Sequence, residues 1–182
     1  MAAGSFDPMH AVRFDLPSGS VRAGAEGDRV VLVPAAALAD IALSAPAEAV
    51  EALGRALGSA IGRRAASRMG DPQNASVEDF VTQLSGEAAL AGVGTLTVER
   101  WGRALVVLIE GSALPGAILG PLVRSAIEMA CGRRVWCAPL SGDERTSRIF
   151  VGSELGVGRV RDWIASGLSW DEALVKLHGG RS

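Results

Sequence analysis

The residue types that most often carry chemistry are few in this chain and poorly placed to work together. His10 and His178 stand near opposite ends of the 182 residues, so neither sits beside a nucleophile as a general base must. Cys131 and Cys137 are the only cysteines. Cys137 follows Trp136 on a predicted strand with no histidine close in sequence, and reads as a small buried hydrophobe rather than a reactive thiol. Cys131 falls at a predicted helix C-terminus, where the helix dipole disfavours a thiolate. Gly92-Val93-Gly94 and Gly156-Val157-Gly158 are not phosphate loops, because no Lys-Ser/Thr follows either one. Asp143 and Glu144 fall at a predicted hairpin tip and read as solvated. No carboxylate pair and no Ser/His/Asp set stands out. The expectation is no enzyme, no catalytic residue, no cofactor and no metal.

Composition narrows the partners. The net charge is −2 with a pI of about 5.7, so there is no electrostatic footprint for nucleic acid. Lys176 is the single lysine among 18 basic residues, a bias typical of GC-rich bacterial coding rather than of a binding patch. No run approaches the roughly 18 apolar residues of a membrane span. The N-terminus lacks the basic and apolar regions of a signal peptide. Two cysteines are too few for a secreted disulfide framework, which places the chain in a reducing cytoplasm.

The elements that would position any site follow from the hydrophobic pattern. Residues 1–29 read as a leader and possible docking arm, with a weak hairpin formed by 12–16 and 21–23. Residues 30–182 form the domain proper. An apolar run at 30–33 precedes a short Ala-rich helix that starts at Pro34. Ser44 is the expected N-cap of a long helix over 45–69, which Gly70 ends. A capping box at 76–79 opens the next helix. Residues 95–100 alternate as a half-buried strand, and the return strand at 104–110 is apolar on both faces, hence central. Residues 118–151 then give a buried helix, an exit at Gly132, a strand, a turn and a second strand. Two helices close the chain, the last one opened by a capping box at 169–172. This order predicts an α+β fold with a single antiparallel sheet of about four strands packed against several helices.

Two patterns mark where a site or interface would lie. In the long helix, Gly54, Gly58 and Gly62 recur every four residues beside Leu57 and Ile61. Three mid-helix glycines cost on the order of 3 kcal/mol against alanine, so another backbone is expected along that stripe, either within the monomer or across a dimer. Arg55, Arg63 and Arg64 lie off the stripe and read as a solvated face. The helix at 118–131 carries an apolar arc wider than the roughly 100° of a surface helix, so the sheet and a second helix should both cover it. Pro121 marks its start or a kink, and a kink between two layers is one way to leave a pocket. Ile118, Leu122, Ala126, Met129, Val107 and Trp136 are the candidate pocket residues.

The segment GAILGPLVRSAIEMACGRRV, followed by a strand, the Gly142-Asp143 turn and SRIFVGS, resembles the C-terminal half of the vinyl-reductase (4-vinyl reductase) domain family. ALGRALGSAIGRRAASRM and GVGTLTVERWGRALVVLIEGS look like that family's first long helix and hairpin, and the resemblance spans residues 30–177. The family is related to the fold of the TRAPP tethering subunits. The resemblance implies a homodimeric domain with a hydrophobic cavity, used for protein assembly or small-molecule sensing. Sensor members of the family hold zinc through a Glu after the first hairpin, a Cys entering the central helix and two Cys in the last hairpin. Here Glu110 stands near the first position, no Cys lies near 114–118, Cys137 is one residue out of register, and Ser147 takes the last position. The expected function is a non-catalytic homodimeric interaction or adaptor module that binds another protein. The alternative is a stand-alone sensor of an apolar small molecule, and a tetrapyrrole-related enzyme stands third.

Overall fold

The computed structural model describes residues 6–9, 11–24, 27–72, 74–102, 104–142 and 146–179. Three short strands come first: β1 (Val12–Asp15), β2 (Ser20–Ala23) and β3 (Asp28–Val30). Helices α1 (Ala35–Ser44), α2 (Ala47–Met69) and α3 (Val77–Leu90) follow. Then come the hairpin β4 (Thr95–Trp101) and β5 (Ala104–Glu110), α4 (Gly116–Cys131), and β6 (Trp136–Gly142) with β7 (Thr146–Gly152). Helices α5 (Glu154–Ala165) and α6 (Trp170–Gly179) end the fold.

Local chemistry sets the helix ends. The Ser76 hydroxyl accepts from the Asp79 amide at 3.0 Å and donates to its carboxylate at 2.9 Å, closing the first turn of α3. In α6, Glu172 accepts from both the amide and the hydroxyl of Ser169. Gly132 leaves α4 at φ +68°, a left-handed conformation that glycine adopts without strain. Ser44 does not cap the long helix. Pro46 takes that position, and Ala45 before it is extended at ψ 153°, as the residue preceding a proline favours. That break leaves Ser44 as the last residue of α1, donating to the Asp40 and Ile41 carbonyls.

The larger sheet is antiparallel in the order β4-β5-β7-β6. The strand that is apolar on both faces, β5, is accordingly interior. Val107 and Ile109 point into one core with Leu96, Ile118, Leu122 and Ala126. Val106 and Leu108 point into a second core, with Phe150, Val157, Val160 and Leu174 under α5 and α6. Helix α4 lies between the sheet and α2, so its wide apolar arc is covered from both sides, as its sequence requires.

A second sheet corrects the single-sheet expectation: β1, β2 and β3 pair antiparallel in that order. The apolar run at 30–33 lies mostly outside this sheet. Only Val30 belongs to β3, while Val31 and Leu32 are 82% and 68% exposed. Arg64 also departs from the expected solvated face. Its Nε donates to the buried Glu87 carboxylate at 2.7 Å, and Arg68 donates to the other oxygen at 2.6 Å. Arg68 further lies over the Phe6 ring at 4.6 Å and donates to the Asp7 carbonyl. The chain before β1 is thereby tied to α2 and α3.

Candidate functional site

The glycine stripe of α2 faces α4 within the same chain. A Cβ on Gly54 would stand 2.6 Å from the Ile118 carbonyl oxygen, one on Gly58 2.2 Å from that of Leu122, and one on Gly62 2.4 Å from that of Ala126. Only a residue without a side chain allows this approach. Ser59 and Ser125 hydrogen-bond across the same seam at 2.8 Å. Leu57 and Ile61 pack with this core, Ile61 fully buried. The stripe is thus occupied by α4, and its surface is not open to a second chain.

On the neighbouring face of α4 the glycines behave in the opposite way. Among the described residues, a Cβ on Gly116 or Gly120 would meet no heavy atom within 4 Å beyond its own helical turn. Both residues line a cleft of about 610 Å³ that runs between α4, the α1–α2 corner, the edge strand β6 and α5. That volume falls within the roughly 300–1,000 Å³ of small-molecule sites. Ala42, Ala45, Ala47, Val50, Ala117 and Pro121 give it apolar walls. Pro121 lies inside α4; having no N–H, it leaves the Ala117 carbonyl without its usual helical donor, and both residues face the cleft. Trp136, Cys137 and Pro139 form the β6 wall.

Three charged side chains converge on this cleft: Glu51, Arg124 and Arg161. Glu51 is paired with Arg55 one helical turn away. Arg124 donates through Nε to Glu128 at 3.2 Å and stacks over Trp136 at 5.9 Å. Glu128 also accepts the Val135 amide, which fixes the carboxylate behind the arginine. Arg161 reaches from α5 and donates to the Cys137 carbonyl at 2.6 Å. β6 is the edge strand of the sheet, so this bond ties α5 to the strand edge that no other strand covers.

Of the residues singled out from sequence, Trp136 lines the cleft. Ile118, Leu122, Ala126 and Val107 are buried in the core between α2, α4 and the sheet, one layer behind it. Met129 is 43% exposed at the far end of α4, where it borders a smaller hollow of about 220 Å³ beside Gly24, Arg63 and Ser67. His10, Asp143 and Glu144 lie outside the described residues. Sequence reasoning missed Gly116, Gly120, Arg124 and Arg161. Pro121 was the available signal, since it announces irregular packing on the cleft face of α4.

The residues that the family resemblance aligns with a zinc site are not gathered. Glu110 pairs with Thr146 and Ser147 with Ile109, at one end of the sheet. Cys137 pairs with Val151 at the other, four residues or about 13 Å along β7 from Ser147. Among the described residues no three His, Cys, Asp or Glu side chains stand together for a metal. Burial pushes the Cys137 thiol up to about 12, so in the metal-free chain it is neutral near pH 7 and a poor nucleophile.

No family model matches this chain, and no curated protein does. Among solved structures the chain is similar to the phenol-responsive sensory domain of the transcription activator PoxR, crystallised with phenol. The TM-score is 0.60 at 14% identity, over 93% of this chain and 92% of that one. At that identity the likeness is one of fold. Among the described residues no helix is long and apolar enough to cross a membrane.

Proposed function

We propose that this chain is a small-molecule sensory module that takes an apolar ligand in the cleft along β6 and does not act on it chemically. The observation that carries this reading is the open floor of the cleft. Gly120 sits mid-helix, where glycine costs about 1 kcal/mol against alanine, and its own surface is buried, yet among the described residues no other element reaches within 4 Å of where its Cβ would stand. A ligand fits that space, with Trp136 as an aromatic wall and Val50 and Pro121 opposite. The fold likeness to a phenol-responsive sensory domain supports the same reading. The resemblance to the vinyl-reductase domain family, whose members include sensors, is compatible with it, with the ligand held by the cleft rather than through zinc.

A thermal-shift panel of small aromatic and alicyclic compounds tests the proposal. A ligand at a hundred times its Kd stabilises by about 2.7 kcal/mol, which in a domain of this size raises Tm by roughly 5–10 °C. A flat panel, with no compound shifting Tm, contradicts the proposal.

A second reading rests on a separate surface. Helix α1, AAALADIALS, is strongly apolar, yet none of its residues is buried. Ile41 and Leu43 are exposed, as are Val31, Leu32 and Val33 just before it. An apolar surface of this kind marks an interface, and the adaptor role fits it, with a second copy or another protein as partner. Native mass spectrometry tests for a species at twice the 18.7 kDa chain mass that Leu43→Glu dissociates. A wild-type protein that stays monomeric removes the homodimer.

A further inference from the structure

We infer that the ligand of the β6 cleft is an apolar acid, with its anionic head on the guanidiniums of Arg161 and Arg124 and its body against Trp136. This deepens the sensory reading above and rests on it.

The charge balance at the cleft points this way. Glu51 is already paired with Arg55. Glu128 pairs with Arg124 through Nε alone, so the terminal nitrogens of Arg124 make no hydrogen bond among the described residues. Arg161 has no carboxylate within ion-pair distance among those residues, and a single hydrogen bond, to the Cys137 carbonyl, accounts for one of its five N–H donors. The two arginines and two carboxylates, with Arg55, leave one positive charge in excess, and that charge is Arg161.

Both guanidiniums are also held in place. The Cys137 carbonyl anchors Arg161 to the edge of β6, and Glu128 with the Trp136 ring anchors Arg124. A planar guanidinium fixed in this way recognises a carboxylate through paired N–H donors, better than it does a neutral hydroxyl. The remaining walls are apolar, which sets the rest of the ligand. A neutral aromatic would fill the cleft but leave the unpaired donors of Arg161 unused.

The test uses trans-cinnamate against its neutral amide, cinnamamide, which has the same shape, with phenol as a third probe. Calorimetric titration of the whole chain should show cinnamate binding at least tenfold more tightly than cinnamamide. That preference should shrink as salt rises, because the head group is solvent-facing. Arg161→Gln should abolish the preference while cinnamamide affinity stays within about twofold of wild type; Arg124→Gln should weaken it. Since Arg161 also covers a strand edge, each variant's melting temperature is measured with its affinity, and the salt series on the wild-type chain does not depend on either variant folding. Cinnamamide or phenol binding as well as cinnamate overturns the acid and leaves the sensory reading standing. Binding by none of the three counts against both.

Discussion

Gly58 and Leu122 are in such close approach that a Cβ on the glycine would lie 2.2 Å from the leucine's carbonyl oxygen. That contact lies midway along the α2–α4 seam and fixes the spacing of two layers of the fold. In an exposed helix Gly→Ala stabilises by up to about 1 kcal/mol. Here the added methyl meets backbone, which cannot rotate away, so Gly58→Ala should destabilise by about 1–3 kcal/mol. Gly120→Ala, with open space at the same atom, should be neutral or stabilising by up to about 1 kcal/mol. Urea denaturation of the two variants checks the contrast, and equal effects would refute the assignment of the two faces.

The same geometry provides a way to close the cleft without disturbing the core. Gly120→Leu projects a side chain into the space where the ligand is placed. Its predicted effect is a loss of at least tenfold in affinity for any compound that shifts the wild-type melting temperature, with the unliganded Tm within a few degrees of wild type at this domain size. Undiminished binding in that variant would move the ligand elsewhere.

Glu87 is 1% exposed and accepts from Arg64 and Arg68 on its two oxygens. Removing one member of a buried ionic cluster leaves the others uncompensated, which costs about 3 kcal/mol. Glu87→Gln should therefore lower stability by that order. It should also loosen residues 6–9, whose tie to the domain runs through Arg68. Limited proteolysis near the N-terminus, faster in the variant, reports the second effect.

The Cys137 thiol is raised from its ordinary value of 9.0 to about 12 by burial. A group whose folded value lies above its unfolded value stabilises fully below the unfolded value and loses that contribution as pH rises. Stability should thus decline between about pH 9 and pH 12 in the wild-type chain and less in Cys137→Ala, after correction for the cavity. A thiol-reactive reagent should label the half-buried Cys131 in the folded chain and Cys137 only after denaturation.

Much of the fold was legible because hydrophobic period and turn chemistry agree with it. The doubly apolar β5, the wide arc of α4 and the glycine step of α2 each state a packing requirement, and the structure meets each one with a named neighbour. The cleft was less legible. Gly116 and Gly120 look like any glycines of an apolar helix, and the space beside them is a property of how α1, α5 and the β6 edge stand back from it. Arg161 is one arginine among 17 in sequence; its place at the cleft depends on α5 crossing beside the open edge of β6. Arg64 looks solvated in sequence for the same reason, because its acid partner lies 23 residues away on another helix. Ser44 was misplaced by a local rule: a good capping residue lost its position to a proline two residues on.

The most direct test of the central claim is amide and indole chemical-shift mapping of the isotope-labelled chain during titration with cinnamate. Shifts concentrated at Gly116, Ala117, Gly120, Cys137 and the Trp136 indole, saturating together with one Kd, are the expected result. Shifts confined to α1 and residues 31–33, or no saturable shifts at all, would contradict it.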